Sequence, residues 1–128
     1  MERVIITTTE YGKVILPDIP NENVWMSEPE LVELFGVIAP TLRAAVIAVY
    51  KSDVLKVYEV QKYVRLENGY YADMFGFPMI AALAFRINTF GAEQVRNAIF
   101  ERLYLRKEKT SLFFSLGFNN MDSFNYQA

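Results

Sequence analysis

The fold is decided by residues 25–51, which read WMSEPELVELFGVIAPTLRAAVIAVYK. Ser27 and Glu30 have the spacing of a capping box, in which the two residues satisfy free backbone N–H groups at the start of a helix. Pro29 suits the first helical turn, where a missing N–H costs nothing. Apolar residues then follow at helical spacing, at Leu31, Leu34 and Phe35. The pattern predicts a helix that ends at Gly36, since glycine readily adopts positive φ.

A second helix is predicted to begin at Pro40, because proline is favoured in a first turn, and to run through residues 41–50. A short helix, a turn of about four residues and a second helix is the spacing of a helix-turn-helix, although many helical hairpins share it. Trp25 and Met26, just before the first helix, are expected to pack against it as a hydrophobic staple.

Upstream of this unit, the chain predicts a small β-hairpin. Residues 4–8 and 13–16 are rich in β-branched side chains and are separated by a turn at residues 10–12. Two prolines then end the second strand. Nothing in residues 1–22 has catalytic spacing, so a structural role in a small sheet is expected.

Downstream, residues 58–66 and 70–75 predict a second hairpin, joined by Glu67-Asn68-Gly69. Asn-Gly between two strand-forming runs is a strong hairpin signal, because both residues tolerate the positive φ of a type I′ turn. A hairpin directly after a helix-turn-helix has the position of a wing. Basic and aromatic residues interleave in it: Lys56, Lys62, Arg65, Tyr63, Tyr70 and Tyr71. Two interpretations stay open, contact with a phosphate backbone and a solvated hairpin with aromatic cross-strand pairs.

The C-terminal part predicts two helices and an aromatic tail. Residues 77–87 are almost wholly apolar and are expected to form a largely buried helix. Residues 92–109 predict a longer helix, and a basic stripe on it is expected to be an exposed face: Arg102, Arg106 and Lys109. The tail, residues 110–128, is expected to pack on its own domain or on a neighbouring subunit. Its candidate interface residues are Phe113, Phe114, Leu116, Phe118 and Phe124.

These elements predict a single α+β domain over residues 1–128. Its parts are an N-terminal hairpin (1–22), a helix-turn-helix (25–51), a wing hairpin (56–75), a helical part (77–109) and an aromatic tail (110–128). The predicted fold is winged helix-turn-helix-like, with an N-terminal β-hairpin, an Asn-Gly wing hairpin and two C-terminal helices.

The composition excludes several classes of protein. The chain has no cysteine, hence no disulfide or thiolate zinc site, and no histidine, the commonest general base and metal ligand. No glycine-rich phosphate loop, calcium loop or pair of carboxylates stands out. We therefore predict no enzyme activity, no metal, no cofactor and no small-molecule substrate. Since no signal pattern or bilayer-spanning apolar run is present, a cytoplasmic location without a membrane partner is expected.

Charge is distributed unevenly along the chain. The net charge is −2, and residues 1–39 carry −5 whereas residues 40–128 carry +3. The base-rich part begins where the second helix begins. This asymmetry is compatible with one face that meets an anion, and equally with an ordinary solvated surface.

Two blocks of sequence carry a family resemblance, which covers residues 25–103. The first block holds Trp25, Leu31, Leu34, Phe35, Val37, Pro40, Thr41 and Leu42. The second holds Phe75, Met79, Ile80, Ala82 and the run Phe85-Arg86-Ile87-Asn88, continued by Gln94 and Arg96. In these blocks the chain resembles the RhuM-like family of bacterial virulence-associated and mobile-element proteins. The resemblance implies a DNA-binding-like, regulatory domain.

The chain departs from the family pattern at four places. Where similar proteins tend to have Ser-Arg in the turn and Ser-Arg-His in the second helix, this chain has Ile38-Ala39 and Arg43-Ala44-Ala45. Where they tend to have Asp before the buried helix and Lys-Arg before the last helix, it has Pro78 and Phe90-Gly91. A recognition helix reads base edges and phosphates with charged or polar side chains. In the second helix only Thr41, Arg43 and Lys51 remain to do so.

Two functions are compatible with these observations. The first is a DNA-binding regulator that acts as a homodimer on double-stranded DNA, with Thr41 and Arg43 near base edges. Its phosphate contacts are expected from Lys51, Lys56, Lys62 and Arg65. With Arg43 these supply about half of the roughly six to ten contacts of a specific binder, so DNA binding requires a dimer. The alternative is a non-enzymatic protein-interaction module, because one face of the second helix is small and apolar: Ala44, Ala45, Ile47 and Ala48.

Overall fold

A computed structural model describes the backbone of residues 3–17 and 23–117, and the side chains of residues 3–17 and 23–104. The described chain is an α+β fold with five helices and two small antiparallel sheets. In chain order its elements are β1 (Thr7–Thr8), β2 (Val14–Ile15), β3 (Trp25–Ser27), α1 (Glu28–Phe35), α2 (Ala39–Lys51), α3 (Val57–Val60), β4 (Gln61–Arg65), β5 (Tyr71–Gly76), α4 (Phe77–Arg86) and α5 (Phe90–Gly117).

The larger sheet links the start of α1 to the wing hairpin. Its strand order is β3-β5-β4, and both pairs of strands are antiparallel. Met26 of β3 pairs with Phe75 of β5. Trp25 and Met26 therefore lie on an edge strand. Met26 and Leu31, the two positions of the predicted hydrophobic staple, are both buried in the core, and the staple itself stays a prediction. The sequence signal for this strand is weak because the strand is short and runs directly into the N-cap of α1.

The smaller sheet is the predicted N-terminal hairpin, in which β1 pairs with β2. The N–H of Thr9 donates to the carbonyl of Lys13 at 2.8 Å, and that of Gly12 donates to the carbonyl of Thr9 at 2.9 Å. Gly12 has φ 84°. This is a three-residue hairpin loop, in which a type I turn is followed by a glycine bulge.

The wing hairpin has the same kind of loop. The N–H of Gly69 donates to the carbonyl of Leu66 at 3.0 Å, and Gly69 has φ 87°. Asn68 does not have positive φ, so the predicted type I′ turn is wrong.

The first strand of the wing also begins later than predicted. Val57–Val60 form the helical turn α3, because that conformation buries Val60 in the core and packing overrides strand propensity.

The start of α1 has the predicted capping box. Ser27 is the N-cap, and its backbone N–H donates to Oε1 of Glu30 at 2.9 Å. The guanidinium of Arg3 donates to both oxygens of the same carboxylate, at 2.7 and 3.0 Å. Burial raises the pKa of Glu30, but the hydrogen bonds from Arg3 and Ser27 outweigh it and hold the pKa below its ordinary value of 4.5.

Replacing Glu30 with glutamine is expected to lower the free energy of unfolding by about 1 kcal/mol near neutral pH, since the charged cap is lost. A carboxyl group whose pKa is lowered on folding stabilises the fold above its ordinary pKa. That stabilisation disappears as the pH falls through the lowered pKa of the folded state. The difference between variant and wild type should therefore shrink in acid.

Urea unfolding followed by circular dichroism, at neutral pH and at a pH below the lowered pKa of Glu30, measures this effect. Glu33→Gln is the matched control, because Glu33 lies on the same helix and is exposed. A deficit of equal size at both pH values would mean that glutamine disturbs packing rather than charge.

The core lies between α1, α2, α4 and the first half of α5. α4 is the helix predicted to be buried, and its buried side chains are Met79, Ile80, Leu83 and Ala84. Arg96 of α5 donates to the carbonyls of Ala84 and Ile87 at 2.6 and 2.9 Å. These bonds satisfy carbonyl groups at the end of α4 that have no partner within the helix.

α5 begins in direct contact with the end of α1. The hydroxyl of Thr89 donates to the carbonyl of Phe35 at 2.6 Å and accepts from the N–H of Ala92 at 3.1 Å. At Gly91 the two backbones are so close that a Cβ atom would overlap the carbonyl oxygen of Leu34 and lie 2.9 Å from the carbonyl group of Phe35. This contact explains a glycine at a position where the family resemblance implies arginine.

α5 is longer than predicted, since it spans Phe90–Gly117 rather than residues 92–109. The helix continues beyond residue 109 because residues 92–116 contain no glycine or proline. The predicted tail therefore begins inside the helix, which includes the backbone of Phe113, Phe114 and Leu116. Phe118 and Phe124 lie outside the described residues. The subunit interface predicted for these five residues stays a prediction.

Arg102 contradicts the predicted exposed basic stripe on α5. Its guanidinium donates to the carbonyl of Pro17 at 2.7 Å and to that of Leu16 at 3.1 Å. Arg102 thus anchors the end of the N-terminal hairpin to α5. The side chains of Arg106 and Lys109 lie outside the described residues.

Candidate nucleic-acid interface

α1 and α2 form the helical pair for which the sequence predicts a helix-turn-helix. Residues 36–38 connect them, and the two helices are bent by 102° relative to each other. Gly36 ends α1 with φ 66°, and its N–H donates to the carbonyl of Val32 at 2.9 Å. A turn of three or four residues that contains glycine, between helices at about 90–120°, is typical of the motif.

α2 buries one face and exposes another. Leu42, Val46 and Val49 are buried against the core. The exposed residues include Thr41 and Arg43 near the start of the helix and Lys51 at its end, all predicted to contact DNA. Between them the exposed face is apolar, and Ile47 retains 53% of its accessible surface. The face therefore has charges at its ends and an apolar centre.

Arg43 is held by an ion pair between the two helices. Its Nη1 lies 3.1 Å from Oε1 of Glu28 in the first turn of α1. The side chain of Arg43 is 57% exposed and that of Glu28 is 34% exposed. Surface pairs of this kind contribute about 0–1 kcal/mol, so a phosphate can compete with Glu28 for Arg43.

Lys56 also has an acidic neighbour within the chain. Its Nζ lies 2.6 Å from Oδ1 of Asp53, and both side chains are exposed. Asp53 has φ 61°, the left-handed conformation that turns the chain after α2. This pair is again weak because it is open to solvent.

The two basic residues of the wing lie on opposite faces of β4. Nζ of Lys62 lies 4.1 Å from the centre of the Trp25 ring. Arg65 is three residues further along the strand, where side-chain alternation directs it to the other face. On that face Tyr63 and Tyr71 stack with their ring centres 5.0 Å apart. The sequence predicted phosphate contacts from both Lys62 and Arg65, and the structure places the two side chains on opposite faces of the strand.

α2 is coupled to the wing through Tyr50. Its hydroxyl donates to Oε1 of Gln61 at 2.7 Å, and Gln61 is on the same face of β4 as Arg65. Burial, and then the negative charge of Asp73, raise the pKa of Tyr50 above its ordinary value. The hydroxyl therefore stays protonated as the donor of this bond, and the wing and α2 are held together at this point.

A separate cleft of about 710 Å³ lies between the N-terminal hairpin, the end of α1 and the start of α5. Apolar residues such as Ile6, Met26 and Phe35 line it, together with Glu30 and Glu33. No sequence pattern predicts this cleft, because segments distant in the chain form it. It does not include α2 or the wing, and so it is not part of the interface built above.

Within the described chain, no three His, Cys, Asp or Glu residues are grouped so that they could hold a metal ion. No single helix in the same residues is both long enough and apolar enough to cross a membrane. α1 and α2 taken together are long and apolar enough, but they are bent by 102° relative to each other.

No protein-family model, curated protein or solved structure matches the chain. The resemblance to the RhuM-like family stays a prediction from sequence.

Proposed function

We propose that the protein binds double-stranded DNA as a regulator, in the manner of the RhuM-like mobile-element proteins that it resembles. α2 would lie in the major groove and the β4–β5 hairpin would act as a wing. The observation that carries the proposal is the pair α1–α2, joined by residues 36–38 at 102° and followed by a hairpin that hydrogen bonds to α2.

The contacts follow from the exposed side chains. Thr41 and Arg43 stand at the N-terminal end of α2, the end that contacts base edges in helix-turn-helix proteins. Lys51, Lys56 and Arg65 are exposed and would reach phosphates. Breaking the ion pair of Arg43 or of Lys56 costs about 0–1 kcal/mol, and moving Lys62 away from the Trp25 indole costs about as much. New contacts with phosphates can offset these costs.

Affinity depends on the number of subunits. Each neutralised phosphate contributes about −0.9 to the slope of log K against log salt, and a specific binder makes roughly six to ten such contacts. One subunit offers five basic side chains, Arg43, Lys51, Lys56, Lys62 and Arg65. A dimer doubles that number and sets two copies of α2 roughly 34 Å apart, in successive major grooves. We therefore propose that the binding unit is a homodimer.

Fluorescence anisotropy of a labelled random duplex, titrated with protein at several salt concentrations, tests this function. We expect binding at low salt that weakens steeply as salt rises, because released counterions drive association. A flat titration at low salt, where electrostatic attraction is strongest, would contradict the proposal.

A second candidate function is protein binding, which the apolar centre of the α2 face favours. Ile38 and Val54, at the two ends of α2, retain 68% and 75% of their accessible surface, and Ile47 lies between them. Ile47→Lys separates the two candidates. It adds a cation to a face that meets phosphates and should strengthen DNA binding, whereas the same change should abolish docking of an apolar protein surface.

A further inference from the structure

The cleft between the N-terminal hairpin, the end of α1 and the start of α5 has the size of a ligand site. Its volume of about 710 Å³ falls within the roughly 300–1,000 Å³ that is usual for sites that bind small molecules. None of the residues proposed above to contact DNA lines it. The side chains that remain accessible in the cleft therefore indicate a separate ligand and its chemistry.

The accessible apolar surface in the cleft comes mainly from Phe90 and Ile5. Phe90, at the start of α5, retains 68% of its accessible surface, and Ile5 retains 37%. Other apolar residues that line the cleft, among them Ile6 and Met26, are buried. The ring of Phe90 lies beside the hairpin loop, since a Cβ atom on Gly12 would be 3.5 Å from its Cε2. An exposed aromatic ring in a cleft favours an apolar group, above all a second ring.

The charge in the cleft is negative. Of the described residues that line it, only Glu30 and Glu33 are ionisable. Arg3 neutralises Glu30 through hydrogen bonds at 2.7 and 3.0 Å. Glu33 is exposed, and its carboxylate has no ion pair or hydrogen bond with any described side chain. Lys13 lies between two lining residues of the hairpin but does not itself line the cleft. Glu33 is thus an acid without a counter-charge.

The end of α1 adds to this negative potential. Leu34, Phe35 and Gly36 line the cleft, so the C-terminal end of the helix, the negative end of its dipole, faces it. None of the residues in the last turn of α1 is basic. A cation is therefore stabilised here by the dipole and by Glu33 together. An uncharged ligand that covered Glu33 would instead bury a carboxylate without a partner, which is unfavourable.

We propose that this cleft binds a small organic cation, an arylalkyl ammonium ion, with its ammonium group at Glu33 and its aromatic ring against Phe90. These two residues belong to one junction, because their neighbours Leu34 and Gly91 are in close backbone contact. The ammonium group donates hydrogen bonds, and the carboxylate of Glu33 and the amide oxygen of Gln94, which also lines the cleft, are acceptors. This site goes beyond the proposed DNA binding and does not rest on it.

Titration of the whole chain with three probes of nearly equal size, followed by amide proton–nitrogen NMR spectra, tests the inference. The probes are phenylbutylamine, phenylbutanol and phenylbutyrate, which are a cation, a neutral molecule and an anion. We expect the amine to bind with a dissociation constant of roughly 1 mM, as is usual for a ligand of this size. It should bind about fivefold more tightly than the alcohol, the upper end for an exposed ion pair. The anion should bind least, and the shifted signals should include those of Thr8, Glu33 and Gln94.

Variants separate the charge from the apolar contact. Glu33→Gln is expected to remove the preference for the amine and to leave binding of the alcohol unchanged, because it removes only the charge. Glu67→Gln, the same charge change in the wing loop, is the matched control and should bind every probe as the wild type does. Phe90→Ala should weaken the amine and the alcohol alike, by roughly fivefold, because both probes lose the same aromatic partner.

Three results would overturn the inference. No shift with the amine at concentrations well above the expected dissociation constant would mean that the cleft holds no ligand of this class. Equal affinity for the amine and the alcohol, or an equal loss in Glu33→Gln and Glu67→Gln, would mean that Glu33 does not select a cation. Shifts confined to residues outside the cleft would place the site elsewhere. The comparison of probes uses the wild-type chain and no DNA, so it is decisive whether or not a variant folds and whether or not the protein binds DNA.

Discussion

Gly91→Ala is expected to lower the free energy of unfolding by about 3 kcal/mol, because it adds a methyl group where two backbones are already in contact. The new Cβ would overlap the carbonyl oxygen of Leu34 and lie 2.9 Å from the carbonyl group of Phe35. Both obstacles are backbone atoms, which cannot move aside as a flexible side chain can. Relief requires α5 to shift away from α1, and that shift strains the hydrogen bond from Thr89 to Phe35.

Gly36→Ala is the matched control for this experiment, because it adds the same methyl group to a glycine beside the same junction. No atom lies within 4 Å of its added Cβ, so the cost comes only from φ 66° and should be about 1–2 kcal/mol. Urea unfolding curves of both variants, recorded by circular dichroism, give the two values. Equal destabilisation would mean that α1 and α5 are not in contact as described.

Replacing Lys62 and Arg65 together with glutamine is expected to weaken DNA binding by roughly 10³-fold at about 0.1 M salt if the dimer binds. Because Lys62 and Arg65 lie on opposite faces of β4, both reach phosphates only if the hairpin enters a groove and each face meets a different DNA strand. Four phosphate contacts would then be lost from a dimer, and each contributes about −0.9 to the salt slope. The slope of log K against log salt should therefore become shallower by about 3.6. Anisotropy titrations at several salt concentrations measure both quantities.

The matched control for the wing variant is Lys13→Gln with Arg86→Gln. Both residues are exposed, the change in net charge is the same, and neither residue belongs to α2 or to the wing. We expect the control to bind nearly as the wild type does. If both double variants lose affinity equally, the wing makes no specific contact and only net charge matters.

The helix boundaries that the sequence predicts correctly are those with local causes. Ser27 and Glu30 form the capping box within one turn, and Gly36 ends α1 through its own φ angle. Pro40 lies in the first turn of α2, as expected of a residue without an N–H. α4 was predictable because its residues are apolar on nearly every side, and a helix of that kind is normally buried. Such signals need only neighbouring residues.

Other features depend on residues distant in the chain and were out of reach. β3 exists because β5 pairs with it, and α3 forms because Val60 enters the core. The candidate site shows the same limit, since Lys62 meets Trp25 only after the sheet has formed. In contrast, the opposite orientation of Lys62 and Arg65 follows from strand alternation and was within reach of the sequence.

The contact between Lys62 and Trp25 has a practical consequence. The chain has one tryptophan, so its indole emission comes from a single, largely buried ring. That emission depends on the local electric field, and a positive charge 4.1 Å from the ring centre contributes to the field. If Lys62 moves to a phosphate, the charge leaves the ring and the emission changes. Indole fluorescence would then report the proposed contact between Lys62 and a phosphate, without an attached dye.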